Sequence, residues 1–278
     1  MRNLGTGGRP QPRVAGQRPE AAILLGPGEL RRALEGPRIH ARYQPIVRIA
    51  DAEPVGLEAL ARLARVEGGL LGASAFVPAA ERAGLAWPLS RSVARRIIAD
   101  WPAWLASFPA WLAVNLPLDV LLRADALAWL ERGRAQSGMP AERLTIELTE
   151  SRPLARLADL AVVVNRLRRA GYGIAIDDVG PGLRDPSALL GLDFTMLKLD
   201  KAVVRQSVTN AAARRFLRRT IAAAHARGLL IVAEGVADAH VWALVAELGV
   251  QLAQGFHIAR PMAPEALAAW HGRWRGRH

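Results

Sequence analysis

Short apolar segments alternate with longer amphipathic ones along most of this 278-residue chain, and this alternation restricts the fold more than any other feature. Eight of the short segments have the length and composition of buried strands. They span residues 42–49, 55–63, 112–116, 144–149, 173–178, 194–199, 230–234 and 255–259. Strands separated by helices are typical of parallel β-α-β units, so we predict an α/β protein.

The amphipathic segments that separate or follow these strands are predicted to be helices. They span residues 89–106, 118–135, 153–170, 211–227, 239–248 and 264–274. Eight strands spread over about 250 residues match the size of a TIM-like (β/α)8 barrel, which is the predicted fold. A doubly wound open sheet is the alternative that the pattern leaves open.

The connection between the first two predicted strands is short and comprises only residues 50–54. Parallel neighbours need a crossover of about a dozen residues or more. We therefore predict that the first strand runs antiparallel to the second, which makes the barrel irregular.

The N-terminal residues differ from the rest of the chain, because residues 1–26 are rich in Gly, Pro, Gln and Arg and show no apolar periodicity. We predict a flexible tail over 1–26 and one barrel domain over 27–278. The longest uncharged stretch, 101–118, contains three prolines and Asn115, so it is a poor membrane span. With no cysteine and no apolar run typical of a signal peptide, a cytoplasmic protein is expected.

The chain is basic, with 37 basic residues against 25 acidic ones and a formal net charge of +12. Only Lys198 and Lys201 are lysines, so 35 of the basic residues are arginines. A nucleic-acid-binding barrel would suit this charge, but arginines on solvated helix faces are the favoured explanation. No DNA or RNA partner is expected.

Acidic and amide side chains lie within or directly after several of the apolar strands, where an ionised group needs a cation or close pairing. The carboxyl ends of parallel barrel strands meet at one face, so these side chains are predicted to converge. Oxygen ligands without cysteine or clustered histidine suit Mg²⁺ or Mn²⁺. The candidates are Glu58, Asn115, Glu147, Asp177, Asp178 and Glu234.

Two of these strand ends carry further chemistry. Asp177 and Asp178 are adjacent at a strand end, where the backbone turns and both side chains can reach one site. One of them could bridge two metals about 3.5–4 Å apart, as in two-metal phosphoryl hydrolases. Lys198 lies in a buried strand, and its point charge suits either a phosphate or nucleophilic water, or an ion pair with a nearby carboxylate.

Taken together, the motifs resemble those of the EAL-domain family, the cyclic di-GMP phosphodiesterases. The resemblance extends from about residue 30 to residue 262, and it depends on the joint order and spacing of the motifs. The matching segments are Tyr-Gln-Pro-Ile-Val at 43–47, Glu-Ala-Leu at 58–60 followed by Arg62, Phe-Val-Pro at 76–78 with Glu81, Val-Asn-Leu at 114–116, Glu-Leu-Thr-Glu at 147–150, Asp-Asp at 177–178, Leu-Lys-Leu-Asp at 197–200, Ala-Glu-Gly-Val at 233–236, and Gln-Gly-Phe at 254–256 with Arg260.

The resemblance implies a barrel with an antiparallel first strand and hydrolysis of cyclic di-GMP to linear pGpG with two Mg²⁺ or Mn²⁺ ions. It implies a first metal on Glu58, Asn115, Glu147 and Asp177, and a second on Asp177 and Asp178. Catalytic roles fall on Lys198, Glu234, Glu58 and Asp178. Substrate contacts fall on Gln44, Leu60, Arg62 and Gln254, with Arg62 on a phosphate. A homodimer is a further expected partner.

The segment after the aspartate pair departs from the family pattern. The family usually reads Phe-Gly-Thr-Gly-Tyr-Ser-Ser-Leu there, whereas residues 179–186 read Val-Gly-Pro-Gly-Leu-Arg-Asp-Pro. Glu150 matches the glutamate that steadies this loop, and Ala237 replaces a second glutamate that the family carries after Glu234. A weakly catalytic module that binds cyclic di-GMP or a protein partner is therefore the alternative hypothesis.

Overall fold

Eight strands close into a barrel in the computed structural model, which describes residues 26–106, 108–149, 156–181 and 187–276. A ninth, short strand pairs antiparallel with the second strand and forms a hairpin with it outside the closed barrel. In chain order the strands are β1 Ile39–Arg48, β2 Pro54–Ala64, β3 Leu70–Gly72, β4 Trp111–Pro117, β5 Leu144–Thr149, β6 Gly173–Val179, β7 Met196–Leu199, β8 Leu230–Ala233 and β9 Leu252–Ala253.

The pairing of β1 closes the barrel, because β1 is antiparallel both to β2 and to β9. From β2 through β4 to β9, each barrel strand pairs with the next in parallel. The predicted TIM-like barrel with an antiparallel first strand is confirmed, and the open doubly wound sheet is excluded. Only a short turn joins β1 to β2, in which the Arg48 amide donates to the Glu53 carbonyl over 2.8 Å.

Helices follow most of the parallel strands and pack their apolar faces on the outside of the barrel. The predicted tail, 1–26, lies almost entirely outside the described residues. In the described part of the chain the helices are α1 Pro27–Glu35, α2 Ala73–Arg82, α3 Ala86–Asp100, α4 Leu118–Leu121, α5 Ala126–Ser137, α6 Leu157–Arg169, α7 Ser187–Leu190, α8 Lys201–Gln206, α9 Ala211–His225, α10 Ala239–Glu247 and α11 Leu267–Arg275. None of them combines the length and apolar content needed to cross a bilayer.

An apolar layer fills the lower barrel interior, at the ends where the parallel strands begin. Trp111, at the start of β4, lies against Gly56 of β2, where a Cβ atom would stand 2.5 Å from the indole ring. This close approach requires glycine at position 56. The buried members of the layer are Ile46, Ala175, Met196, Val232 and Leu252.

Two predicted elements differ from the structure, and several observed elements were not predicted. The predicted strand 255–259 is wrong, because the last ladder is Leu252–Ala253 and the chain turns directly after it. A Cβ at Gly255 would lie 2.1 Å from the Val236 carbonyl oxygen, so this glycine marks a close crossing of two chain segments. The predicted helix 118–135 is two helices, α4 and α5. Helices α1, α2, α7 and α8 and the short strand β3 were not predicted.

Candidate active site

Every strand of the barrel supplies one polar side chain to a single layer above the apolar one. Each lies two residues from an interior position of its strand, after it on the parallel strands and before it on the antiparallel β1, and side chains at i and i+2 share a face. Asp177 thus follows Ala175 of the apolar layer, and Lys198 follows Met196 in the same way. The full set is Gln44 on β1, Glu58 on β2, Asn115 on β4, Glu147 on β5, Asp177 on β6, Lys198 on β7, Glu234 just after β8 and Gln254 just after β9.

Lys198 is at the centre of this layer and is almost fully buried. Its Nζ atom lies 2.6 Å from an oxygen of Glu234 and 3.0 Å from one of Glu147. Oxygens of Asp177 and Glu58 follow at 3.1 and 3.6 Å. The ammonium group therefore faces four carboxylates from four strands, which offsets the cost of burying it.

Amide side chains hold Glu58 in place from both sides. The Asn115 Nδ2 group donates to Glu58 Oε1 over 2.9 Å and to Glu147 Oε2 over 3.0 Å. The Gln254 Nε2 group donates to Glu58 Oε2 over 2.6 Å and to Gln44 Oε1 over 3.2 Å. Gln44 in turn donates to the Ala259 carbonyl over 2.9 Å. These bonds fix the orientation of a buried carboxylate through contacts with four strands and the segment after β9.

The site holds more negative charge than Lys198 neutralises. Burial, followed by the neighbouring Glu58 carboxylate, raises the pKa of Glu147 well above its usual value. Burial also raises the pKa of Glu234 to about 8, and burial and Asp177 raise the pKa of Asp178.

The pKa values of Glu58 and Lys198 shift in the direction opposite to the effect of burial, because neighbouring groups outweigh it. Burial acts to raise the pKa of Glu58, but Lys198 and the hydrogen bonds from Gln254 and Asn115 lower it overall. Burial acts to lower the pKa of Lys198, but the surrounding carboxylates, led by Glu147, raise it well above its usual value. Glu58 and Lys198 therefore form a charged pair within an acidic surround.

One group of carboxylates has the geometry of a cation site. Single oxygens of Asp177, Asp178 and Glu234 all lie within 4.8 Å of one another. The two aspartates reach one place because the β6–β7 register shifts between Ile176 and Val179, and because Asp178 has a φ of 52°. This φ lies in the left-handed region, which aspartate tolerates better than most residues. An all-oxygen donor set with surplus negative charge fits Mg²⁺ or Mn²⁺.

A cavity of about 710 Å³ opens above the layer. Gln44, Leu60 and Gln254, three of the predicted substrate-binding residues, line it. Its walls are mainly apolar, with Val77 and Pro78 of α2 and Leu89 and Val93 of α3 among the lining residues. A cavity of this size with a few convergent polar groups is typical of a small-molecule site.

Two further predicted site residues, Arg62 and Glu150, are not found at this cavity among the described residues. Arg62, on β2, is not among the described residues that line the cavity; its Nη1 group donates to the Ala61 carbonyl over 2.9 Å. Glu150 and residues 182–186 lie outside the described residues.

The sequence analysis gave no site role to the cavity-lining side chains Lys201, Arg205 and Phe256, although Phe256 belongs to the quoted Gln-Gly-Phe segment. Lys201 could have been found, since it is one of only two lysines in the chain.

Comparison with known proteins assigns the family. Residues 28–261 match the EAL domain. The chain belongs to the EAL domain family. Among curated EAL relatives, it is 32% identical over 232 residues to cyclic di-GMP phosphodiesterase PA2567 of Pseudomonas aeruginosa, covering 83% of this chain and 40% of that protein. It is 31% identical over 246 residues to the probable cyclic di-GMP phosphodiesterase PdeB of Escherichia coli, covering 87% of this chain and 46% of that protein. The chain thus spans less than half the length of these relatives.

Solved EAL structures share the fold. The PaMucR phosphodiesterase in complex with c-di-GMP superposes with a TM-score of 0.80 at 28% identity, covering 86% of this chain and 98% of that one. The FimX EAL domain of Pseudomonas aeruginosa bound to c-di-GMP gives a TM-score of 0.75 at 26% identity, covering 84% and 96%. These likenesses agree with the observed barrel.

Proposed function

We propose that this EAL chain hydrolyses one phosphodiester of cyclic di-GMP to give linear pGpG, with Mg²⁺ or Mn²⁺ as cofactor. The observation that carries the proposal is the polar layer, in which the eight barrel strands bring four carboxylates, three amides and one buried ammonium group together beneath one cavity, with Asp178 beside them. Relatives named cyclic di-GMP phosphodiesterases support the choice of substrate.

The donor set fits two cations. Glu58, Asn115, Glu147 and Asp177 are proposed to hold the first, and Asp177 and Asp178 the second. The buried Oε1 of Gln254 has no hydrogen-bond partner among the described residues, so the layer also has acceptor capacity to spare. When bound, such ions lower the pKa of water and offset negative charge on a phosphate.

The protein groups around that place have separate tasks. Lys198 holds a nucleophilic water or a phosphate oxygen with its point charge, which the four surrounding carboxylates keep protonated. Glu234, 2.6 Å from Lys198, accepts the proton of the attacking water. Asn115 and Gln254 orient Glu58, so that its carboxylate is preorganised before substrate arrives.

Substrate recognition is proposed for the cavity walls. Gln44, Leu60 and Gln254, which line the cavity, are proposed to contact the dinucleotide, and Arg62 is proposed to bind a phosphate. Glu150 is proposed to steady the 179–186 loop, and homodimer formation and a cytoplasmic location stay predictions.

Turnover of cyclic di-GMP by the purified chain tests the proposal. The chain is incubated with cyclic di-GMP and Mg²⁺ or Mn²⁺, and pGpG is followed by chromatography. We expect pGpG from the native chain, none from Glu58→Ala or Glu58→Gln, and native turnover from Glu67→Gln, whose side chain is exposed and pairs only with Arg65 among the described residues. EDTA should abolish turnover.

A receptor that binds cyclic di-GMP without cleaving it is the second candidate, favoured by the unusual sequence at 179–186. Calorimetry separates the two. Saturable binding without pGpG would reject the phosphodiesterase and support the receptor.

A further inference from the structure

The second lysine of this chain lines the cavity above the layer that contains the first. Lys198 and Lys201 are the only lysines among 37 basic residues, and they are three positions apart. Lys198 is buried among carboxylates, whereas Lys201 is exposed and lines the cavity. The proposed mechanism uses Lys198 and leaves Lys201 without a task.

Packing against the Glu234–Gly235 turn fixes the place of Lys201. Asp200 caps α8 by accepting the Ala202 amide over 2.9 Å, so Lys201 is the first helical residue. A Cβ atom on Gly235 would lie 2.6 Å from the Cβ of Lys201. Lys201 is therefore beside Glu234, and its charge also acts to lower the pKa of Asp178 against the larger effect of burial.

Arg205 adds a second cation one turn further along α8. Residues four positions apart lie on the same helix face, and Arg205 lines the cavity as Lys201 does. Both side chains are exposed, and neither makes a hydrogen bond or ion pair within the described part of the chain.

Some arginines elsewhere in the chain make structural contacts instead. Arg96 pairs with Asp100, with atoms 2.5 Å apart, and Arg214 donates to the Ser207 and Val208 carbonyls. Within the described residues, Lys201 and Arg205 thus direct positive charge without an ion-pair partner towards a cavity whose floor is acidic.

We infer that Lys201 and Arg205 bind a phosphate of the dinucleotide at the rim of the cavity, beside the Asp177–Asp178–Glu234 group. This inference rests on the proposed function, and it assigns these residues to substrate positioning. A phosphate that approaches five carboxylates is repelled, and two cations at the rim offset that repulsion. Lysine suits an exposed rim because its compact charge and flexible stem follow a phosphate from several directions.

A purely structural role predicts a different result. If Lys201 only balanced the charge of the acidic floor, its removal would change the Tm of the metal-free protein and leave the KM unchanged. A positioning role predicts a change in KM at saturating Mg²⁺, with kcat nearly constant.

Kinetics with matched variants separate these roles. We expect Lys201→Met to raise the KM for cyclic di-GMP about tenfold and Arg205→Met about threefold, with kcat within twofold, because charged hydrogen bonds to a partly exposed phosphate are of this strength. Lys201→Arg should recover most of the affinity. The control is Arg219→Met on α9, an exposed arginine that does not line the cavity.

The scarcity of lysine provides a direct readout. Reductive methylation with ¹³C-formaldehyde labels lysines, and the Lys201 signal is the one missing from Lys201→Arg. We expect this signal to shift on titration with cyclic di-GMP in Mg²⁺, and not with guanosine, which has no phosphate.

The outcomes distinguish this inference from the proposed function. Turnover or binding by the native chain with an unmoved Lys201 signal and an unchanged KM or Kd in Lys201→Met overturns the inference and leaves the function standing. If cyclic di-GMP binds without turnover and the Lys201 signal shifts, the phosphodiesterase activity is rejected and phosphate binding by Lys201 and Arg205 is supported. Absence of both binding and turnover overturns both.

Discussion

Lys198 is the residue on which the polar layer is centred, and its charge type matters as much as its position. Four carboxylate oxygens surround its Nζ atom at 2.6 to 3.6 Å, from four directions. A compact ammonium group can meet all four, whereas a planar guanidinium group cannot.

We therefore expect Lys198→Arg to lose most of the proposed turnover, by roughly 10²-fold, because misplacement of a catalytic charge by about 1 Å has effects of this size. The measurement is kcat at saturating Mg²⁺, with near-native circular dichroism as the folding control. Unchanged turnover would remove Lys198 from the mechanism.

The conformation and surroundings of Asp178 destabilise the metal-free protein. The backbone of Asp178 is in the left-handed region, and burial and Asp177 raise the pKa of its carboxyl group. Residues that serve a charged ligand often destabilise the free protein in this way.

We expect Asp178→Asn to raise the Tm of the metal-free protein by roughly 2–4 °C, since it removes a repulsive charge worth on the order of 1 kcal/mol, and to abolish turnover. Differential scanning calorimetry in EDTA measures the first effect. Asp193→Asn, at an exposed aspartate paired with Arg168, is the control and should shift the Tm by less than 1 °C. A lower Tm in Asp178→Asn would show that the carboxylate stabilises the free fold.

At the scale of elements, a buried network ties helix α3 to strand β1 next to the site. The Tyr43 hydroxyl donates to Asp100 Oδ2 over 2.8 Å, and Arg96 donates to both oxygens of that carboxylate. Backbone bonds in both directions pair Tyr43 with Met262. Gln44, the next residue, reaches the Ala259 carbonyl. The network thus positions the strand from which Gln44 contacts Gln254.

We expect Tyr43→Phe to lower the free energy of unfolding by about 2 kcal/mol, because it leaves a buried carboxylate short of a donor. Tyr172→Phe is the matched control, since Tyr172 donates to Glu131, whose side chain is 37% exposed against 2% for Asp100. Water can replace the lost donor there, and the expected cost is below 1 kcal/mol. Urea denaturation measures both, and equal losses would contradict the role of burial.

At the scale of the whole molecule, the acidic floor makes stability depend on pH and on cations. The folded state raises the pKa of Glu234 to about 8 from an ordinary value of 4.5. A carboxyl group whose pKa is higher in the folded state contributes fully to folding stability at pH values below its unfolded pKa. That contribution to the free energy of unfolding is lost as the pH rises towards the folded pKa. Burial and nearby arginines lower the pKa of His40, which acts in the opposite sense but only below about pH 6.5.

The metal-free protein should therefore lose stability between pH 6.5 and 8, by up to about 1.4 kcal/mol per pH unit for one proton. Glu234→Gln should reduce this loss of stability with rising pH. Binding of Mg²⁺ or Mn²⁺ should raise the Tm of the native protein and should also reduce its dependence on pH. Calorimetric scans across this range, with and without EDTA, make the measurement. A native Tm that is constant with pH in EDTA would contradict it.

Much of the site could be predicted because its signal is local. Glu58, Glu147 and Asp177 stand out as charges within or at the end of apolar strands, and their motifs are spaced as in the EAL family. The antiparallel first strand followed from the five residues between two strands. Such inferences need only strand periodicity and loop length, which are properties of the chain itself.

Other features depend on contacts between distant segments. The apolar segment 255–259 has the composition of a strand, yet Gly255 crosses Val236 too closely for the ladder to continue. The scarcity of lysine draws attention to Lys201, but only its packing against the turn at Gly235 shows that it lies at the cavity.

The sequence by itself determined seven of the eight barrel strands, the antiparallel start and six of the eight members of the polar layer, because side-chain period and connection length are local. Only the tertiary structure decided that Lys198 meets four carboxylates, that Asp177, Asp178 and Glu234 share one place, and that Lys201 and Arg205 face the same cavity. These distances depend on the register between neighbouring strands and on closure of the barrel, and hydrogen bonds between residues far apart in the chain set both.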